Sequence, residues 1–371
     1  MVIITPRRGL AAFASVGAAA LLLAGCAPAP SSSGSSTAAG GSDSGTDVVP
    51  CMVSDTGGFD DHSFNQLGAE GLEDGAKAIG AKATKVQSDT DADYAPNIDN
   101  LLSQGCTLIF TVGFNLSAAT VEAAQANSDV DFAIIDDAAD NDFDGKTDAD
   151  NIKPILFDTS QAAFLAGYAA ASYSKTGIVG TYGGMNFPTV SIFMDGFAQG
   201  VAYFNTQKGK SVQVLGWDSA KQDGTFIGGF EAGTDSLQAA QNLIDQGADV
   251  ILPVGGPIYQ SAAQAIKDSG KDIALIGCDA DLYESDPKYK DIYLTSILKG
   301  MRVGTADVIE QAADSGFDTT PYLGTLENEG VGIAPFHDFE SKVPSELQGE
   351  LDDIQSQIVS GDLQVKSYLA S

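Results

Sequence analysis

Carboxylates that close apolar runs are the side chains of this sequence best placed to do chemistry. Residues 54–66 read SDTGGFDDHSFNQ, so Asp55, Asp60 and Asp61 follow the apolar run 48–53 and lead directly into Phe64 and Asn65. Ionised carboxylates accept hydrogen bonds from hydroxyl and amino groups, an amide donates and accepts, and an aromatic face stacks on a flat ring. Together they suit a neutral, hydroxyl-rich ring compound. Four later segments have the same character. FAIIDD ends in Asp136 and Asp137, VILPV runs into Gly255-Gly256-Pro257, Gly277 precedes Cys278-Asp279-Ala280-Asp281, and Thr295-Ser296-Ile297-Leu298 runs into Lys299. A lone aspartate in such a turn is an ordinary helix N-cap. Five segments at equivalent places point to one site.

The elements that must position them alternate between short β-rich runs and helical periodicity. Strands are expected at 49–54, 84–87, 108–112, 132–136 and 155–157, then again at 177–181, 211–215, 249–253 and 273–276. Phe64, Leu67, Leu72 and Ile79 recur at helical spacing, as do Ile98, Leu101 and Leu102, and further helices are expected at 191–205, 234–246 and 259–268. Ser63 with Gln66 three residues on reads as a capping box. Two successive runs of this kind predict an α/β fold of two doubly wound parallel-sheet domains. A short strand at 293–297 feeding a helix at 300–313 returns the chain between them, which predicts a hinge and an interdomain cleft. In open sheets the crevice at the carboxyl ends of the strands takes the ligand, and all five segments sit there.

Ahead of the fold, Arg7 and Arg8, an apolar stretch at 10–23 and Leu23-Ala24-Gly25-Cys26 read as a secretory signal ending in a lipobox-like site. Residues 1–25 are then signal peptide, Cys26 is lipidated, and 26–47 form a Ser/Gly/Pro-rich tether, so the protein is expected on the outer face of the cell membrane. The remainder divides into a first domain of 48–174 plus 293–318 and a second of 175–292 plus 319–371. A formal charge of −31 and a pI near 4.1 argue against nucleic acid as partner, which requires basic patches. After Cys26 three cysteines remain. If the first and third strands are neighbours, Cys51 and Cys106 lie at matching ends, where a disulfide and separate thiols are both open readings. Asp140, Asp142 and Asp144 begin a D-x-D-x-D-G pattern of calcium loops, but Asn151 stands where the bidentate Glu belongs, so a solvated acidic loop is the first reading and calcium the alternative. With only His62 and His337, no G-x-S-x-G elbow and no Walker A pattern, an enzyme is not expected.

SDTGGFDDHSFNQ, SQAAFLAGYAAA, LIDQGADVILPVGG, GCDADLY, TSILKG and GVGIAPFHDF, in this order over nearly the whole chain after the tether, resemble the basic-membrane-protein family of substrate-binding lipoproteins, the purine-nucleoside receptors of transporters. The resemblance implies a type I periplasmic-binding-protein fold, a purine nucleoside such as adenosine, guanosine or inosine as ligand, and an ABC importer permease as partner. It also implies a monomer, with no cofactor. Carried over residue by residue, it implies that Phe64 stacks on the base, Asn65 and Asp136 meet base edges and Asp55 supports that pocket. Asp279 and Lys299 would hold the ribose hydroxyls, and Gly255 would give backbone access. Phe230 best fits the family's second aromatic, with Trp217 and Phe226 as alternatives. Glu231-Ala232-Gly233 and Gly255-Gly256-Pro257-Ile258 depart from the family pattern, which bears on base preference. A receptor of the same fold for a sugar or an autoinducer is the rival reading, since fold alone does not choose a ligand.

Overall fold

The computed structural model describes residues 47–369; the expected signal, Cys26 and all of the tether but Asp47 lie outside the described residues. The first sheet contains β1 (Pro50–Val53), β2 (Thr84–Val86), β3 (Leu108–Val112), β4 (Asp131–Ile135) and β5 (Ile152–Phe157), joined from late in the chain by β13 (Tyr322–Gly324). Its order is β13-β5-β4-β3-β1-β2, parallel throughout. Strands such as LIFTV are apolar without alternation because both faces are covered. Met52 and Phe110 pack in one core cluster with Leu72 of α1 (Phe64–Ala78). Cys51, Val53 and Ile109 pack on the other face with Ile98 and Leu101 of α2 (Tyr94–Ser103) and Val121 of α3 (Ser117–Ala126).

The second sheet has β6 (Ile178–Gly183), β7 (Gln213–Leu215), β10 (Val250–Val254), β11 (Ala274–Asp279), β12 (Tyr293–Lys299) and β14 (Val331–Ile333), in the order β14-β12-β11-β10-β6-β7. Only its edge strand β14 is antiparallel. Between β7 and β10 lie the small hairpin β8 (Trp217–Asp218) and β9 (Asp223–Gly224) and helix α6 (Thr234–Asp245). Helices α7 (Ile258–Ser269) and α8 (Leu282–Ser285) follow β10 and β11. Helices α4 (Thr159–Tyr173) and α5 (Pro188–Lys208) pack so tightly that a Cβ at Gly167 would lie 2.0 Å from the Phe197 carbonyl oxygen, and one at Gly200 2.0 Å from that of Phe164. The two lobes are each doubly wound, as the repeated pattern of strands predicts.

The domain boundaries differ from those expected. The strand β12, predicted in the first domain, pairs with β11 and β14 in the second sheet, whereas β13, predicted in the second domain, completes the first sheet. Helix α4 packs on α5 and so belongs to the second lobe, while α9 (Met301–Ser315) lies on α1, where a Cβ at Gly71 would sit 2.4 Å from the Arg302 carbonyl oxygen. The chain therefore crosses between lobes near Asp158, Gly300 and residues 325–330. The crossings brace one another through Asp158 N–H to Gly324 O and Gly300 N–H to Gly330 O, both 2.8 Å. Hydropathy marks a strand without marking its sheet, so such a swap is invisible in sequence. The last helix, α10 (Leu347–Ser360), packs on α4. Among the described residues no helix is long and apolar enough to cross a membrane.

Candidate ligand site

The turn that opens α1 is organised by Asp61. Its Oδ1 accepts from the backbone N–H of Ser63 (3.0 Å) and Gln66 (3.1 Å), and its Oδ2 from Asn65 N–H (2.8 Å). The expected Ser63–Gln66 capping box is absent: Asp61 already satisfies those donors, and Gln66 Nε2 turns to Glu70. That frees the Ser63 hydroxyl, which reaches across the cleft to Cys278 O and Asp279 Oδ2, both at 3.1 Å. Asn65 is also committed. Its Nδ2 donates to Asp55 Oδ1 (2.7 Å) and Asp61 Oδ2 (3.2 Å), and its Oδ1 accepts from Asp55 N–H (3.2 Å). Asp55 Oδ1 is further held by Gly57 N–H at 2.8 Å. Burial pushes the Asp55 carboxyl up to about 6, against the opposing pull of Gly57 N–H and Asn65.

Deeper in the cleft, Lys299 at the end of β12 joins the lobes. Its Nζ lies 2.5 Å from Asp136 Oδ2 of the first lobe and 3.5 Å from Asp279 Oδ1 of the second, with all three side chains less than a tenth exposed. Burial raises the Asp136 carboxyl although Lys299 opposes the rise. Burial by itself would lower the Lys299 ammonium, but Asp136 and Asp279 outweigh it and raise it. Asp136 and Asp279 both adopt left-handed backbone, φ 66° and 67°. This conformation is costly for a residue with a Cβ and is found where a site demands it. Asp136 and Asp279 thus share Lys299 as their cation. The Lys299 ammonium is also 5.3 Å from the centre of the Phe64 ring and 5.0 Å from that of Phe193, within cation–π range.

Between these groups lies a cavity of about 530 Å³ of atom-free space, open solvent at its mouth included. Every expected binding residue borders it: Asp55, Phe64, Asn65 and Asp136 from the first lobe, Phe230, Gly255, Asp279 and Lys299 from the second. Of the three aromatic alternatives only Phe230 does. Trp217 donates from Nε1 to Asp195 (2.8 Å), and Phe226 packs against Gly183. Gly255, at φ 140°, leaves room for Phe230, whose Cδ1 would lie 2.6 Å from a Cβ there; a Cβ on Gly184 would lie 2.4 Å from it. Sequence reasoning missed Phe114, Thr189 and Phe193, which also border the cavity. Phe114 packs across the lobes on Phe187 with the rings tilted by 37° (centroids 4.0 Å apart) and meets Phe230 edge-on at 5.9 Å. The motif Gly113-Phe114-Asn115 after the strand LIFTV was the signal available.

Outside the cavity, Cys51 of β1 forms a disulfide with Cys106, two residues ahead of the neighbouring strand β3. Cys278 is a buried free thiol at the cavity floor, and burial pushes its ionisation well up. Carboxylate oxygens of Asp140, Asp142 and Asp148 lie within 4.8 Å of one another, whereas Asp144 Oδ2 turns to Lys146 at 3.3 Å. His337 is engaged by Asp281 (2.8 Å) and stacks on Tyr283.

Two doubly wound lobes, joined by three crossings and closing convergent polar groups between them, define a hinged solute-binding protein. Residues 48–368 match the family model of the ABC transporter substrate-binding protein, PnrA-like. The chain belongs to this family. It is a substrate-binding protein of an ABC transporter, extracytoplasmic in kind, and not an enzyme. It is 30% identical over 339 residues to a CD4+ T-cell-stimulating antigen of Listeria monocytogenes, covering 87% of this chain and 89% of that protein. It is 28% identical to the ABC transporter nucleoside-binding protein BmpA of Lactococcus lactis, covering 87% and 90%. Among solved structures it resembles an ABC transporter solute-binding protein of Aeropyrum pernix, with TM-score 0.75, 22% identity and coverage of 86% and 94%. An arabinose-binding protein of Geobacillus stearothermophilus shares the fold at TM-score 0.58 and 13% identity, covering 80% and 99%.

Proposed function

We propose that the protein captures purine nucleosides, adenosine, guanosine or inosine, closes its lobes on them and delivers them to its permease. The observation that carries this reading is that one cavity is bordered by aromatic rings and by a buried carboxylate–ammonium group. Phe64 and Phe230 supply aromatic faces from opposite lobes for a flat base, while the Asp136–Lys299–Asp279 group presents two carboxylate acceptors and an ammonium donor to vicinal hydroxyls. Asp55, with Oδ2 free of protein donors, reads the base edge, and Asn65 holds it in place. Asp136 accordingly serves the ribose rather than the base. Four carboxylates, of Asp55, Asp61, Asp136 and Asp279, against one ammonium disfavour a phosphate, so nucleosides are taken in preference to nucleotides. The relative named as nucleoside-binding supports the same class. We place a lipid anchor at Cys26, with the receptor acting as a monomer.

A thermal-shift panel of nucleosides, free bases and sugars tests the reading, because a ligand that binds only the folded state raises Tm. Shifts with purine nucleosides and little with sugars are expected. A response to sugars alone would replace the reading with the sugar receptor.

A further inference from the structure

Among the described residues, six side-chain oxygens are buried without a hydrogen-bond partner: those of Tyr94, Thr159, Thr189, Ser285, Tyr293 and Thr305. Of these residues only Thr189 borders the ligand cavity. A hydroxyl in the first turn of a helix ordinarily finds a backbone group of its own turn. That of Thr189, directly after Phe187 and Pro188 at the start of α5, does not. An unmade hydrogen bond on a buried hydroxyl is unfavourable, and a polar ligand atom removes the deficit. Thr189 and Phe193 are four residues apart on α5 and share its cavity face. Thr189 thus lies one helical turn before Phe193, whose ring is 5.0 Å from Lys299 Nζ.

A nucleoside has three hydroxyls. The vicinal ring pair matches Asp136, Asp279 and Lys299, and the base is matched by Phe64, Phe230 and Asp55. The exocyclic 5′-hydroxyl is matched by none of these side chains, and Thr189 Oγ1 has no partner on the protein. We propose that Thr189 is a specificity-determining residue whose hydroxyl binds the 5′-hydroxyl of the nucleoside. The inference rests on the nucleoside reading above. A threonine hydroxyl donates and accepts, as a free 5′-hydroxyl requires.

The test is calorimetric titration of the folded protein with whichever purine nucleoside shifts Tm most, beside its 5′-deoxy counterpart. Thr189→Val keeps the shape and removes the hydroxyl, Thr189→Ala removes it with less bulk, and Thr189→Ser keeps it. The wild type should bind the 5′-deoxy compound about three- to tenfold more weakly than the parent. Thr189→Val and Thr189→Ala should lose the same factor on the parent and nothing on the 5′-deoxy compound, with Thr189→Ser close to wild type. Equal losses on both ligands, or none on either, would overturn the assignment while leaving the nucleoside reading intact. A wild type that binds no nucleoside overturns both.

Discussion

Lys299→Met keeps the length and apolar packing of the side chain while deleting the charge that ties the lobes together. Asp136 and Asp279 would then share the cleft with no buried cation, their side chains 7% and 6% exposed. At an effective dielectric of about 20, a unit charge at 3.5 Å is worth about 5 kcal/mol and one at 2.5 Å about 7, before desolvation is counted. Losing the burial cost of the ammonium itself offsets much of this, so a net loss of about 3–5 kcal/mol is expected at pH 7.5. The deficit should depend on pH. Burial already holds the Asp136 carboxyl high, and removing Lys299, which pulls it down, lets it rise further. A carboxyl raised by folding is protonated more readily folded than unfolded, so its penalty is complete above the folded pKa and shrinks as pH falls towards the unfolded value. Urea unfolding of both proteins at pH 7.5 and 5.0 should therefore show the deficit narrowing at pH 5.0, by about 1.4 kcal/mol for each unit of pKa shift relieved. Adding Asp136→Asn, which leaves Asp279 as the one former partner of Lys299 still ionised, should recover part of the stability at pH 7.5. A loss under about 1 kcal/mol, or one independent of pH, would refute the view that Lys299 is the counter-ion holding two buried carboxylates.

Phe64→Ala should weaken nucleoside binding by about 1–3 kcal/mol in calorimetry, whereas Phe226→Ala, outside the cavity lining, should not change the base contact; unchanged affinity in Phe64→Ala removes it from the site. Replacing Cys51 and Cys106 together by alanine opens a loop spanning a sequence separation of 55, for which chain entropy gives up to about 4 kcal/mol. Equilibrium unfolding measures that loss, and a value below about 1 kcal/mol would show that the cross-link contributes little to stability.

Much of this protein was legible before folding. Apolar β-rich runs and the 3.6 periodicity place most strands and helices within a few residues, because hydrophobic spacing reports what is buried. Aspartates and glycines just after apolar runs mark the carboxyl ends of parallel strands, which share one crevice by topology. That suffices to collect Asp55, Asp136, Gly255, Asp279 and Lys299 into a site. Motif likeness singled out Phe230 from Trp217 and Phe226, and the structure puts that ring in the cavity.

Partnership was decided by the tertiary structure. Lys299 meets Asp136, 163 positions away, and the Ser63 hydroxyl meets Asp279, 216 away, partners that neither the local capping-box pattern of Ser63 nor the family resemblance for Asp136 contained. Asn65, which the family resemblance puts at the base edge, borders the cavity with both amide hydrogens on Asp55 and Asp61. The sheets claimed by β12 and β13, and the orphan hydroxyl of Thr189, likewise depend on which elements lie alongside. The physical reason is that burial pattern is set by the chain's own neighbours, while a side chain's hydrogen bonds and charge state are set by whatever the fold brings within about 3 Å of it.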